Sequence, residues 1–177
     1  MMSMSVTPAA IERYRTLLAG GKWHAAHSIP PAEIASWLLH QGSLTAQLQQ
    51  ICRRFTVQLV NVGWVKEKTA PKSTALTEPV WLREVILQGD GSNWIFAQTR
   101  LPQRTVANAA PAVIRLADQP IGPWLFAQKP QRLSLGWRRD RQSGLYARRS
   151  VFSLAGYPLE IKELFLADFD FHRRAAG

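Results

Sequence analysis

Two charged residues sit among neighbours that do not suit them. Arg83 lies in the run Val80-Trp81-Leu82-Arg83-Glu84-Val85-Ile86-Leu87, and Glu163 in Leu159-Glu160-Ile161-Lys162-Glu163-Leu164-Phe165-Leu166. A strand sends alternate side chains to opposite faces. Arg83 then shares its face with Trp81, Val85 and Leu87, and Glu163 shares its face with Leu159, Ile161 and Phe165. Desolvating a guanidinium or a carboxylate is costly without a counter-charge. The two residues read either as a buried structural ion pair or as walls of a pocket for a polar, anionic small molecule. In a pocket, Arg83 offers a planar fork that matches a carboxylate, and Glu163 is a candidate proton donor or acceptor.

Other chemistry has little support. Neither a Walker pattern nor a GxGxxG is present, and no serine sits in a GxSxG context. His24 and His27 are three apart, but no acidic or cysteine partner accompanies them, so no zinc site is expected. Cys52 lies beside an apolar stripe and reads as a buried structural thiol; as the single cysteine it excludes an intramolecular disulfide. Covalent, metal-based and dinucleotide catalysis are therefore set aside.

The elements that must position Arg83 and Glu163 change character along the chain. Thr7-Pro8 opens a helix carrying Ile11, Tyr14, Leu17 and Leu18, and Gly20-Gly21 stops it. A second helix starts at Pro30-Pro31-Ala32-Glu33 and carries Ile34, Trp37 and Leu38. Ser43 caps a third with Leu44, Leu48 and Ile51. From Phe55 the period becomes two, which predicts a long strand. Residues 67–79 read as an exposed loop. A hairpin follows, Val80–Gln88 and Asn93–Leu101, turning at Asp90-Gly91. Pro111–Ala117 reads as a short helix. A second hairpin joins Leu133–Arg139 to Leu145–Leu154, and 159–166 is the last strand. Helices first and hairpin-linked strands afterwards predict an α+β domain with an antiparallel sheet.

Composition bounds the setting. With 177 residues, 46% hydrophobic content and seven tryptophans, the chain is expected to fold as one packed domain over 1–177. No apolar run approaches the roughly 18–20 residues that span a bilayer, and Met1 to Pro8 shows no secretory pattern. A soluble, cytoplasmic protein is expected, monomeric because no long exposed apolar stripe is evident. The net charge of +10, from 22 Lys+Arg against 12 Asp+Glu, implies an anionic partner: nucleic acid, a membrane surface or an anionic metabolite. Between Lys129 and Arg149, however, Leu133, Leu135, Trp137 and Tyr146 interleave with the charges, which suits a half-buried strand pair. No nucleic-acid motif accompanies them.

Several short stretches follow one another along the chain: Ser43-Leu44-Thr45, Trp81-Leu82-Arg83-Glu84, Asp90-Gly91 with Trp94, and Pro120-Ile121-Gly122 with Leu125-Phe126. Gly144-Leu145 with Arg148-Arg149-Ser150 and Glu163-Leu164-Phe165-Leu166 complete the series. In these residues the chain resembles the chorismate pyruvate-lyase family. The resemblance implies a six-stranded antiparallel sheet with flanking helices, and a buried site under helical flaps. It also implies a cofactor-free, metal-free lyase that converts chorismate into 4-hydroxybenzoate and pyruvate on the route to ubiquinone. By the same resemblance, Arg83 holds the ring carboxylate with backbone groups at Leu44 and Ile121, and Glu163 contacts the ring's oxygen substituent. The family commonly carries arginine in an Ala/Gly-Arg-Thr pattern where this chain has Ala97-Gln98-Thr99. Gln98 then removes a charge that would serve the second carboxylate or the ligand's passage, Arg100 is a partial replacement, and Arg148 and Arg149 are reserve candidates for the enolpyruvyl carboxylate.

The alternative from another class is a non-catalytic aromatic-acid-binding domain of the same fold, as in the effector-sensing parts of transcription regulators. The residues ahead of Trp37 hold no convincing recognition helix, which weighs against it.

Overall fold

The computed structural model describes residues 5–68 and 77–173. The Thr7 hydroxyl accepts from Ala10 N at 3.2 Å and starts α1 (Pro8–Ala19), where Pro8 stands at a position with no amide partner to lose. Two further helices precede the long strands: α2 (Ala32–Leu38) and α3 (Leu44–Gln49), the latter capped by Ser43 Oγ, which accepts from Ala46 N at 3.2 Å.

The strands are β1 (His24–Ala25), β2 (Phe55–Lys68), β3 (Thr77–Gly89), β4 (Ser92–Pro102), β5 (Gln131–Arg139), β6 (Tyr146–Leu154) and β7 (Tyr157–Phe165). They form one antiparallel sheet in the order β1-β5-β6-β7-β4-β3-β2. The sheet therefore has seven strands, not the six expected. The extra one pairs His24 with Trp137 and Ala25 with Gly136, and two residues are too few to carry a period-two signal. Gly136 lets this edge approach: a Cβ there would lie 3.1 Å from His24 O.

The loop expected over 67–79 is shorter than read. Glu67 pairs with Glu78 and Lys68 with Thr77, so the ladder continues into it; 69–76 lie outside the described residues. At the β3–β4 turn, Asp90 and Gly91 take φ of 49° and 83°, the paired left-handed conformation that suits a two-residue hairpin. Between β4 and β5 the chain forms α4 (Gln103–Asn108), a 3-10 turn (Pro111–Arg115) in place of the helix expected over Pro111–Ala117, and α5 (Ile121–Ala127). Helices α4 and α5 were not legible in the sequence: they are as short as α2 and α3, but neither has a side-chain cap or an acidic residue in its first turn to mark its start.

The sheet separates two environments. On one face, Ile11 and Leu18 of α1 pack against Ile86, Phe96, Ala147 and Leu164. The other face carries two apolar clusters. Trp37, Leu44, Val85 and Leu87 belong to the first, and Trp81, Leu125, Phe152 and Ile161 to the second. Helices α2 and α3 cover the first cluster, and α4 and α5 cover the second. No helix among the described residues is long and apolar enough to cross a membrane.

Candidate functional site

A cavity opens along the seam between those two clusters. The strand alternation decides its lining. β3 contributes Arg83, Val85 and Leu87, β4 contributes Ala97 and Thr99, and β7 contributes Ile161 and Glu163. From β6 come Arg148, Ser150 and Phe152, and from the helices Leu44, Thr45, Ile121, Gly122 and Phe126. All four residues singled out from sequence, Arg83, Glu163, Leu44 and Ile121, line this one space.

Leu44 and Ile121 are the first residues of α3 and α5. Amides in a helix's first turn have no acceptor one turn back within the helix; Ser43 Oγ takes that of Ala46 in α3, and the amides of Leu44 and Ile121 belong to residues that line the cavity. Close approach of the two helices is possible because residue 122 is glycine. A Cβ on Gly122 would lie 2.9 Å from Ser43 Oγ and 3.1 Å from Thr45 Oγ1.

Arg83 is 2% exposed, and its terminal nitrogens donate to the carbonyls of Ala117 and Gln119 in the segment leading to α5. Ala117 holds a φ of 50°, a left-handed conformation that costs an alanine roughly 1–2 kcal/mol. Burial pushes the guanidinium below its ordinary range, with Asp118 opposing the shift. Its two partners are neutral carbonyls, so its positive charge meets no carboxylate at ion-pair distance among the described residues.

Glu163, 7% exposed, accepts from Arg148 Nε at 2.7 Å. Arg148 Nη1 donates to Trp37 O at 3.2 Å and His40 O at 2.9 Å, so it also gathers carbonyls that the end of α2 leaves unpaired. The ion-pair reading of Arg83 with Glu163 is overturned: each has its own partners, and the cavity lies between their strands. Glu163 is also not the isolated carboxyl that its apolar neighbours suggested. Its partner is Arg148, directly across the strand pair, so that reserve candidate for a substrate carboxylate is already engaged.

Three further expectations change. Arg149 faces the opposite side of the sheet and pairs with Glu160 at 2.7 Å. Gln98 faces the same far side, donating to Glu84 Oε2 at 2.7 Å and accepting from Arg100 Nη1 at 3.2 Å. Arg100 in turn pairs with Glu67 at 3.1 Å. Neither Gln98 nor Arg100 reaches the cavity, because its β4 lining comes from the odd-numbered Ala97 and Thr99.

One cavity residue escaped the sequence reading. Arg132 donates from Nη1 to Ser150 Oγ at 2.6 Å and from Nη2 to Gln41 O at 3.0 Å, and its guanidinium lies 4.5 Å from the Phe152 ring centre. A β-bulge explains the miss. The register passes from Arg132↔Phe152 to Ser134↔Val151, leaving Leu133 as an extra residue that is largely exposed. Arg132 and Leu135 are three apart and would face opposite sides of a regular strand. The bulge puts both on the cavity side, opposite Phe152 and Ser150.

A family model described as Chorismate lyase matches residues 17–175. The chorismate pyruvate-lyase of Pectobacterium carotovorum subsp. carotovorum is 36% identical over 162 residues, covering 86% of this chain and 88% of its own length. A probable chorismate pyruvate-lyase of Bartonella henselae is 37% identical over 157 residues, covering 82% of this chain and 87% of its own. Among solved structures, PhnF from Mycobacterium smegmatis has a TM-score of 0.52 at 14% identity, over 73% of this chain and 66% of that one. That likeness is one of fold.

Proposed function

We propose that this chain, which belongs to the chorismate lyase family, is a cytoplasmic chorismate pyruvate-lyase whose product feeds ubiquinone synthesis. The observation that carries the reading is the placement of Arg83 and Glu163 in one cavity, apart from each other and each held by other groups.

The reaction is an elimination. The bond from ring C3 to the ether oxygen breaks, the C4 hydrogen leaves as a proton, and the C–H pair completes the aromatic ring. The released enolpyruvate gains a proton at its methylene carbon and becomes pyruvate. Aromatisation supplies the driving force, so the protein's task is to fix the substrate's geometry and to stabilise developing charge.

In this reading Arg83 binds the ring carboxylate, helped by the first-turn amides at Leu44 and Ile121. Its bonds to Ala117 and Gln119 hold the fork in place before substrate arrives. Glu163 takes the ring's oxygen substituent at the other end. Oε1 is committed to Arg148, and Oε2 accepts no hydrogen bond among the described residues, so it is placed to accept from the ring hydroxyl. The role assigned to Glu163 is therefore to orient the ring, rather than to donate a proton to the ether oxygen.

Incubation with chorismate, read by 4-hydroxybenzoate absorbance and by pyruvate in a coupled lactate dehydrogenase assay, tests the reaction. Equal amounts of the two products are expected. Chorismate binding without either product would overturn the lyase reading and mark a sensing domain instead. Glu163→Gln, which keeps an acceptor oxygen, is expected to retain measurable turnover with a raised KM. Complete loss of kcat at unchanged KM would restore the proton-donor role.

A further inference from the structure

We propose that Arg132 binds the enolpyruvyl carboxylate, the second negative charge of chorismate. The proposal rests on the reaction proposed above and identifies the group that completes substrate binding in the same cavity.

The charge inventory of the cavity leads there. Three guanidinium groups line it, on Arg83, Arg132 and Arg148, with the carboxylate of Glu163. Arg148 and Glu163 neutralise one another at 2.7 Å. Two cations are left, and the substrate is a dianion. Arg83 lines the cavity together with Leu44 and Ile121, the first residues of α3 and α5, and in the reading above takes the ring carboxylate with them. Arg132 remains for the other.

Its surroundings support that role. Both of its hydrogen-bond acceptors, Ser150 Oγ and Gln41 O, are neutral, and no carboxylate stands at ion-pair distance from it among the described residues. Burial and the neighbouring Arg148 push its pKa down to about 10, with Glu163 opposing. A half-buried cation in that state gains more from an arriving carboxylate than a solvated one would, because the protein has already removed much of its water. The Phe152 face and the two bonds fix the plane of the fork, so little side-chain freedom is lost on binding.

The order of strands also fits. Along β5-β6-β7-β4-β3, Glu163 stands on the middle strand, Arg132 on one outer strand and Arg83 on the other. Four spacings of about 4.8 Å separate the outer pair, and the two long side chains narrow that gap from both ends. A ring held at Arg83 by its carboxylate and at Glu163 by its C4 oxygen carries the neighbouring C3 substituent onward, toward β6 and β5.

Arg132→Gln separates the two carboxylates, because 4-hydroxybenzoate has only the first. The KM for chorismate is expected to rise roughly ten- to hundredfold, the worth of a charge-assisted hydrogen bond, while the Kd for 4-hydroxybenzoate changes less than about twofold by that logic. Arg132→Lys keeps the charge without the fork, and is expected to fall between the two with product affinity again unchanged. This variant carries the comparison if the glutamine form does not fold. Chorismate esterified on the enolpyruvyl carboxylate is expected to bind wild type and Arg132→Gln alike. Parallel loss of product affinity would show that Arg132 only shapes the cavity, and an unchanged chorismate KM would place the second carboxylate elsewhere; either result overturns the proposal. Wild-type protein that neither binds nor converts chorismate would sink the lyase reading itself, and this one with it.

Discussion

Arg83 and Glu84 are neighbours in the chain and opposites in setting. Glu84 points toward α1 with no exposure, and its carboxylate takes Arg15 at 2.7 Å, Gln98 at 2.7 Å and Asn61 at 3.3 Å. The same far side of the sheet also pairs Arg100 with Glu67 and Arg149 with Glu160. Of the three arginines that line the cavity, Arg148 has a carboxylate partner among the described residues, and Arg83 and Arg132 are held by neutral oxygens. Charges that meet counter-charges inside the protein secure the fold. Charges that are held in place but not neutralised are what a substrate can use. One sheet does both because alternate residues belong to different solvents.

Breaking the cavity side is expected to cost function first. Arg83→Ala should lower kcat/KM for chorismate by about a hundredfold or more, the scale of truncating one partner of a buried charge pair, and should weaken 4-hydroxybenzoate binding in parallel. Steady-state kinetics with product titration by fluorescence would show it. A variant that still bound product normally would remove Arg83 from the site and erase the contrast between the faces.

Breaking the far side is expected to cost stability instead. Glu84→Gln leaves Arg15 without its buried anion. Since Arg15 is partly exposed and can regain water, a loss of about 1–3 kcal/mol is expected, below that of a fully buried pair, with KM for chorismate unchanged. The loss should depend on pH. Burial is the largest single influence on Glu84 and pushes its pKa up, but the bonds from Arg15, Gln98 and Asn61 together outweigh it and hold the group below its ordinary 4.5. A depressed carboxyl stabilises the fold above its unfolded value, and that stabilisation disappears as pH falls through the lower folded value. Urea titrations from pH 6 downward should therefore show a steeper acid decline for wild type than for Glu84→Gln. Parallel curves would mean that the pair contributes nothing to stability.

The smallest effect is the most pointed test. Gln98→Arg installs the arginine that the family resemblance leads one to expect, yet position 98 faces Glu84 and not the cavity. The KM for chorismate should stay within about twofold, since a residue that far from the ligand adds no contact. A marked fall in KM would place position 98 in the site and blur the boundary between the faces.

Much of this was legible in the chain. The caps at Thr7 and Ser43, the Asp90-Gly91 turn and the period-two runs around Arg83 and Glu163 are local signals, set by sterics and hydrogen bonds within a few residues. The motifs that carry the family resemblance then named Arg83, Glu163, Leu44 and Ile121, and the fold carries all four into one cavity. What the sequence could not supply was partnership. Arg15 with Glu84, and Arg83 with the carbonyls of Ala117 and Gln119, join residues separated by other elements, and Arg148 meets Glu163 through the register of the β6–β7 hairpin. Arg132 is the clearest case: its alternation was broken by the single extra residue Leu133, and one inserted residue turns a side chain to the other face. Sequence by itself determined which faces would be apolar and where charge would intrude on them, because alternation is a property of the backbone. Tertiary structure alone decided which of those charges would be neutralised, because a counter-charge must be brought from elsewhere in the chain.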